Sequence, residues 1–238
     1  MNAVYTTGPR ARKEKNLDCV KLMKYAVSMS PSIAAVPKPY HHGDLPQACV
    51  KVGLDVLKEV GLEKFSLREV ARRVGVSATA LYHHFPDKED LVLEVARVGL
   101  REFHDHLNLV RPGVPADPLV QLGTNYVHFF VAKPYYLDIL FRPDSKSDPE
   151  MHEIWQGTFR RLEANLISRG LDPEKAPYFG LWLWTGVHGL ATMLRDGILG
   201  RPDLCGPDSP EVFQISGDDL LRRVIPLVTF VLDQAAKK

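Results

Sequence analysis

The sequence predicts an all-α protein. Apolar residues recur at intervals of three and four along most of the chain, which is the spacing of helices that bury one face. We find no stretch that alternates between apolar and polar residues, and no Asn-Gly or Asp-Gly pair that joins two apolar runs as a β-hairpin would. Glycine and proline fall between the periodic segments, where helices end. We therefore expect a three-helix unit, a long connecting helix and a second helical region.

Residues 65–88 carry the densest local pattern. Ser66 stands where a helix would begin, and Glu69 follows three residues later, so the pair predicts a capping box. Gly75 should end this helix, because glycine adopts the left-handed conformation of a helix C-terminus without steric penalty. This pattern predicts the first helix of a helix-turn-helix.

A second, short helix should follow at once. Ser77 is its predicted N-cap, and Pro86 its stop. Leu81 and Phe85 are four residues apart, so they should share the buried side that packs on the preceding helix. The opposite side should offer four residues to a partner: Ala78, Thr79, Tyr82 and His83.

Further helices are predicted on both sides of this pair. One should run over residues 45–60 with Asp44 as its N-cap, and a long one from about residue 87 to about residue 109. Residues 111–118 are dense in proline and glycine, so we place a domain boundary there. The later helices are predicted at residues 119–132, 135–141, 150–169, 174–195 and 218–236.

Charge is unevenly distributed, although the whole chain has a net charge of only +1. Residues 1–38 hold seven Lys/Arg and two Asp/Glu, and we expect a disordered basic extension, with a DNA-touching arm as the alternative. Met29 is an alternative start. Residues 39–110, the predicted DNA-binding domain, carry a net −2, yet residues 64–84 keep a local +3. Residues 111–238 form the predicted C-terminal domain.

Several classes of protein are disfavoured. Cys19, Cys49 and Cys205 are widely spaced and odd in number, which favours a reducing, cytoplasmic compartment. Residues 176–194 lack charged side chains, but their polar residues and glycines favour a buried helix over a membrane span. We find no nucleophile elbow, phosphate-binding glycine loop or metal-spaced cluster, so we expect no enzyme, metal or cofactor. Adjacent histidines such as His83-His84 diverge on a helix and do not make a metal pair.

Residues 41–104 resemble the DNA-binding domain of the TetR family of transcriptional regulators. The matching run is SLREVARRVGVSATALYHHFPDKEDL at residues 66–91. The C-terminal half resembles the family's WHG-type ligand-binding domain through Trp184 and His188-Gly189. This resemblance implies a homodimeric regulator that binds operator DNA and responds to a small molecule, more often as a repressor than as an activator. The family's pattern is carried by Leu81, Tyr82, His84, Phe85 and Lys88.

The resemblance and the residue types together suggest roles at the DNA. Lys88 begins a helix, so its ammonium and the free N–H groups there can hold one phosphate. Arg68 is the best long donor for a guanine edge or a phosphate. Thr79 is a base-reading candidate or a plain surface threonine. The complete candidate set is Ser66, Arg68, Ser77, Ala78, Thr79, Tyr82, His83, His84 and Lys88. Within it, Ala78 is expected against a thymine methyl, Thr79 and His83 against bases, and Tyr82 and His84 against the DNA backbone.

Aromatic residues are concentrated in the C-terminal half. They predict either an aromatic core or a cavity for an apolar or aromatic effector. The candidate lining is Tyr126, Phe130, Trp155, Phe159, Trp184 and His188, although His188 fits a core histidine equally well. The last helix is apolar on two faces, which predicts a second subunit. A rival interpretation is a non-catalytic small-molecule-binding protein whose helix-turn-helix is vestigial.

Overall fold

The structure, a computed structural model, describes residues 45–142, 147–201, 203, 209–227 and 230–231. These residues form helices, turns and loops, and none of them lies in a β-strand, so the all-α prediction is confirmed. Several expectations fall outside the described residues: the basic extension, the Asp44 cap, Cys19, Cys205 and most of the last predicted helix beyond residue 227.

The first four helices match the predicted order. They are α1 Leu45–Val60, α2 Leu67–Val74, α3 Ala78–Tyr82 and α4 Lys88–Leu107. Gly75 ends α2 with a φ of 84°, and the Ser77 hydroxyl caps α3 by accepting from Ala80 N at 3.1 Å. Helix α3 ends at Tyr82, earlier than expected. A turn replaces the helix at residues 83 and 84. The reason is that a residue before a proline avoids the helical conformation, and Phe85 precedes Pro86.

The second half of the described fold begins at residue 118 and contains helices of 15 and 20 residues together with shorter elements. In chain order they are α5 Pro118–Ala132, a 3₁₀ turn Pro134–Tyr136, α6 Leu137–Leu140, α7 Pro149–Ser168, α8 Ala176–Arg195, α9 Glu211–Gln214 and α10 Gly217–Val224. Helix α8 begins two residues later than predicted, the predicted helix 135–141 opens as a 3₁₀ turn, and α9 was not predicted. Helix α10 ends at Val224, two residues before Pro226, which cannot donate to a helical hydrogen bond.

Helix α4 belongs to both halves of the described fold. Its first turns pack Leu91 and Val95 into the same buried cluster as Leu81 and other residues of α1–α3. Its last turns bury Phe103 in that cluster together with α5. One hydrophobic core therefore runs along α4 through both halves.

Two ion pairs also join α4 to the start of α7. The Arg97 guanidinium donates to the Asp148 carboxylate at 2.5 Å, and this carboxylate also caps α7 by accepting from the Met151 amide at 3.0 Å. Arg101 donates to Glu150 at 2.7 Å one turn further along α4. The Asp148 side chain is buried, so its pairing with Arg97 lowers its pKa and keeps it ionised.

Tyr136 packs directly against the backbone of α4 at Gly99. A Cβ atom at Gly99 would lie only 2.3 Å from a ring carbon of Tyr136, so only glycine fits there. The Tyr136 ring is fully buried, stacks on Phe129 with an interplanar angle of 6°, and its hydroxyl donates to Glu102 at 3.3 Å. A glycine inside a helix costs about 1 kcal/mol relative to alanine, so this contact has to offset that cost.

The apolar helix α8 was the one segment with a possible membrane length. Among the described residues, no helix is long and apolar enough to cross a membrane.

We predict that Gly99→Ala destabilises the fold by about 1–3 kcal/mol, the usual cost of overpacking a filled core. The added methyl group would displace the Tyr136 ring. Gly157→Ala is the matched control, because Gly157 is also inside a helix but a Cβ there meets nothing within 4 Å. The control should gain up to about 1 kcal/mol from helix propensity. Urea unfolding measures both, and equal effects at the two sites would contradict the assignment.

Candidate functional site

Helix α3 presents its N-terminus and one side to solvent. Ser77, Thr79, Tyr82, His83 and His84 are exposed, whereas Leu81 is fully buried against α2. His83 and His84 lie in the turn that follows the helix. Ala78 and Ser66 are half-buried. The side chains predicted to meet a partner therefore do lie on the free side of the helix-turn-helix.

The predicted capping box at the start of α2 does not form. Ser66 has an extended backbone but its side chain makes no capping hydrogen bond. The Glu69 carboxylate instead accepts from Arg72 at 2.7 Å and from Arg73 at 2.7 Å. Two guanidinium groups bind a carboxylate more strongly than one backbone N–H does. These hydrogen bonds, first from Arg72 and then from Arg73, lower the pKa of Glu69 to about 2.

This pairing also changes the basic patch expected from the sequence. Arg73 donates to Glu59 of α1 at 2.7 Å, so both Arg72 and Arg73 have acidic partners. Arg68, in contrast, is exposed and forms no ion pair with the described residues. Of the four cations of this patch, Arg68 and the exposed Lys64 just before α2 therefore remain available, and Arg73 serves to join α2 to α1.

Lys88 occupies the first turn of α4 and reaches back toward α1. Its ammonium donates to the carbonyl oxygen of Leu62 at 2.6 Å and lies 6.0 Å from the centre of the Phe65 ring. An ammonium has three N–H donors, so two remain for another acceptor. Asp87 caps the helix by accepting from the Asp90 amide at 2.9 Å.

A cavity of about 1080 Å³ lies in the second half, between α4, α5, α7, α8 and the residues of and after α10. Among the described residues that line it, none is Asp, Glu, Lys or Arg. Its deeper walls are aromatic and aliphatic, and the exposed His152 and Gln156 stand at its edge. Four of the six predicted residues line it: Tyr126, Trp155, Phe159 and Trp184.

Phe130 and His188 do not line the cavity, so the structure corrects these two assignments. Phe130 is fully buried, with its ring 5.0 Å from that of Tyr126 and 5.6 Å from that of Phe141. Phe141 follows the short helix α6 and covers this end of α5. The concentration of aromatic residues suggested Phe130 as a candidate but could not reveal that another segment covers it.

His188 instead supports Tyr126 from behind. Its Nδ1 lies 2.8 Å from the Tyr126 hydroxyl, and its ring meets Phe141 edge-on at 4.6 Å. Burial raises the pKa of Tyr126, and it lowers the pKa of His188 together with the nearby charge of Arg195. A protonated phenol and a neutral imidazole follow, and the tautomer of His188 decides which of the two groups donates.

Part of the cavity wall was not predicted from the sequence. Phe103 and Leu107 of α4 line it, as do Val224, Leu227 and Val231 around the end of α10. The spacing of four between Phe103 and Leu107 is a usable signal, because it puts both on one face of α4. The contribution of the last segment depends on tertiary contacts that sequence spacing does not reveal.

A buried polar cluster lies beside the cavity, where α4 ends. The Arg111 guanidinium donates to Asn125 Oδ1 at 2.5 Å and lies 2.7 Å from His106 Nε2, without a carboxylate among these contacts. Asn125 in turn donates to the carbonyl oxygen of Leu109 at 2.7 Å, and Gln121 accepts from the Arg111 amide at 2.9 Å. Residues 111–118, placed at a domain boundary by the sequence, are thus attached to α5 by side-chain hydrogen bonds.

Comparison with known proteins agrees with this architecture. A family model described as "Bacterial regulatory proteins, tetR family" matches residues 50–95, which cover most of α1 and all of α2 and α3. The HTH-type transcriptional regulator BetI of Escherichia coli is 30% identical over 158 residues, which cover 63% of this chain and 80% of BetI. The chain belongs to the TetR family. It is therefore a DNA-binding transcriptional regulator.

Other TetR-like matches are consistent with this. An uncharacterized HTH-type transcriptional regulator of Mycobacterium tuberculosis, Rv0681, is 27% identical over 161 residues, covering 66% of this chain and 73% of Rv0681. A crystal structure of a transcriptional regulator from Rhodococcus superposes with a TM-score of 0.57 at 25% identity, covering 81% of this chain and 98% of that chain. Both are named as transcriptional regulators.

We predict that His106 makes the TetR-family fold sensitive to acid. Burial first, and then the charges of Arg111, Lys133 and His128, lower its pKa from 6.5 to about 4. The unfolded chain therefore binds a proton at higher pH than the folded chain does. Stability that is fully present above pH 6.5 should fall as the pH approaches 4, by at most about 1.4 kcal/mol per pH unit for one proton.

Urea unfolding of the wild type and His106→Gln at several pH values between these limits measures the effect. The variant cannot take up this proton, so its stability should fall less steeply over the same range. His104→Gln, an exposed position on the same helix, is the control and should follow the wild type. Parallel loss in all three proteins would exclude His106 as the cause.

Proposed function

We propose that the protein is a homodimeric, cytoplasmic repressor that a small, largely apolar molecule releases from its operator DNA. One observation carries this proposal: a single helix, α4, connects an exposed helix-turn-helix to a cavity whose described lining contains no Asp, Glu, Lys or Arg. We call α1–α3 with the first turns of α4 the head. The head offers hydrogen-bond donors to DNA, the cavity suits an apolar ligand, and α4 has residues in both. BetI and Rv0681 are named as transcriptional regulators, which supports the same class.

We assign the DNA contacts by the position of each side chain. The helix before a recognition helix crosses the DNA backbone, so Arg68 near the start of α2 should contact a phosphate. Lys88 and the N-terminus of α4 should hold a second phosphate, because helix N-termini favour anions. Tyr82 and His84 should donate to the backbone, whereas Thr79 and His83 should reach base edges. Ser66 and Ser77 remain candidates for phosphate contacts, and Ala78 for a thymine methyl.

The second subunit should cover α8 and the segment after α10. Trp182 is 55% exposed, Leu227 57% and Phe230 63%, which is unusual for residues of this size. A Cβ at Gly186 or at Gly189 would meet nothing within 4 Å, so a partner helix can approach this face closely. Two heads held in this way should read half-sites about 34–36 Å apart in successive major grooves.

Effector binding should act through α4. A ligand in the cavity would contact Phe103 and Leu107, one or two turns from Arg97 and Arg101, which bind α7. The first residue of the same helix is Lys88, which contacts Leu62 in the turn that follows α1. A ligand that binds one position of α4 better than another shifts the heads toward that position.

We predict that selection from random double-stranded DNA returns a two-fold symmetric site. Arg68→Gln should weaken binding by a similar factor on the selected site and on random sequences, because one phosphate contact is lost. For the same reason, it should reduce the slope of log K against log salt by about 1. Arg160→Gln removes an exposed charge on α7 and should leave both quantities unchanged.

Failure to enrich any sequence, together with unchanged binding in Arg68→Gln, would favour the alternative of a small-molecule-binding protein with a vestigial helix-turn-helix. Loss of affinity confined to the selected site would instead assign Arg68 to a base.

We predict that Phe230→Asp converts the dimer to monomer over the micromolar range. A carboxylate buried between two apolar helices loses its hydration without gaining a partner, which costs several kcal/mol. Val110→Asp is the control, because Val110 is 84% exposed in the loop between α4 and α5. Sedimentation equilibrium should find the control dimeric and the variant monomeric. A dimeric Phe230→Asp protein would place the interface elsewhere.

A further inference from the structure

We propose that the effector is an elongated amphiphile, with an apolar body that fills the cavity and a head group that accepts a hydrogen bond at the cavity edge formed by His152 and Gln156. This inference rests on the proposed function, since it names the chemical class of ligand for the same cavity. Three observations carry it: the polarity of the α7 face in the cavity, the hydrogen-bond state of the polar lining groups, and the character of the other exposed edge.

Helix α7 contributes a face to the cavity that is polar at one end and apolar at the other. The lining residues of this face recur at helical spacing: His152, Trp155, Gln156, Phe159 and Leu162. His152 and Gln156 are exposed, whereas Phe159 is half-buried and Leu162 is buried. A helix rises about 1.5 Å per residue, so His152 and Leu162 are about 15 Å apart along its axis. A ligand that follows this face therefore passes from solvent into the buried interior.

The apolar end of the face continues into aliphatic packing. Leu162 belongs to a buried cluster with Leu119, and Leu122 and Phe159 pack against it. All four residues also line the cavity, and its described lining includes no acidic or basic side chain. A charged head group at this depth would lose its hydration without gaining a counter-charge. This end of the cavity therefore suits the apolar body.

Two hydroxyl groups in the lining already use their hydrogens within α7 and α8. Thr158 donates to the Ile154 carbonyl oxygen at 2.9 Å, and Thr185 donates to that of Trp182 at 2.8 Å. A hydroxyl group has one hydrogen, so neither group has one left for a ligand. An acceptor on the ligand has to find its donor elsewhere.

The polar end of the α7 face offers such donors. The Arg160 guanidinium can only donate, and it donates to Gln156 Oε1 at 3.0 Å, so the amide NH₂ of Gln156 faces His152. This amide nitrogen lies 2.7 Å from His152 Nε2, which therefore accepts. The ring then carries its hydrogen on Nδ1, for which the described residues provide no acceptor. A head-group oxygen at this exposed edge can accept from His152 and stay hydrated.

The other exposed edge of the cavity is mainly apolar. Leu181 and Trp182 of α8 line it together with Leu227 and Val231 after α10, and all four are exposed. This is the face assigned to the second subunit, which would cover it. A head group placed there would lose its hydration along with these side chains. The α7 edge is therefore the better position for the head group.

The test uses three probes with the same type of alkyl chain. Decanoate and 1-decanol have a head-group oxygen that accepts hydrogen bonds, whereas decyltrimethylammonium has no acceptor. Equilibrium dialysis against the full chain without DNA, below the concentrations at which the probes form micelles, gives each Kd. Octanoate should bind about ten-fold more weakly than decanoate, because each buried CH₂ group contributes about four-fold.

His152→Leu removes the ring donor and keeps an apolar side chain. It should weaken the binding of decanoate and 1-decanol by about 3–10-fold, the value of one hydrogen bond, and change that of decyltrimethylammonium by less than about two-fold. His104→Leu is the matched control, because His104 is an exposed histidine outside the cavity lining, and it should leave every Kd unchanged. Phe159→Ala, in the apolar part, should weaken all three probes by a similar factor.

Retained binding of decyltrimethylammonium by His152→Leu shows that the cavity of the variant is intact. The inference is overturned if this variant weakens all three probes equally, if chain length has no effect, or if no probe binds. Weakening of decanoate alone would also overturn it, because the ring would then act as a charge and not as a donor. Operator binding is measured separately, so a chain that binds decanoate in the expected pattern but stays on DNA would contradict the proposed function alone.

Discussion

The contact between Gly99 and Tyr136 fixes α4 against the second half of the molecule. A glycine inside a helix is normally a weak point, and here it allows an aromatic ring to lie against the helix backbone. The Tyr136 hydroxyl then reaches Glu102, which also accepts from Lys133 at 2.6 Å. Phe103, one turn after Gly99 on α4, packs against the rings of Tyr126, Phe129 and Phe130. The position of the cavity wall therefore depends on the same contact that positions the helix leading to the head.

Much of the head follows from local rules. Gly75 and Ser77 act where the sequence placed them, because a left-handed C-terminus and a hydroxyl N-cap are properties of a few neighbouring residues. The expected capping box does not form, and the spacing of neighbouring residues alone could not have predicted this. Glu69 had the correct distance from Ser66, but Arg72 and Arg73 compete for its carboxylate, and Arg73 is held in turn by Glu59 of another helix.

The cavity was less predictable than the fold. Aromatic composition did indicate a site for an apolar ligand in this half, and four of the six residues chosen from it line the cavity. It could not show that Phe141 covers Phe130, or that His188 lies behind Tyr126 and fixes its hydroxyl. Those facts depend on the short helix α6 and on how α5 and α8 cross, which are tertiary features.

Trp182 and Leu227 have two roles in this arrangement, since they line the cavity and also stand exposed on the face assigned to the second subunit. Occupation of the cavity and association of the chains are then linked equilibria, and each must change the apparent constant of the other by the same factor. Under the proposed function, the amount of the chain becomes a variable of the response. A cell that makes more of it would change the effector concentration at which the operator DNA is released, without any change in the cavity itself.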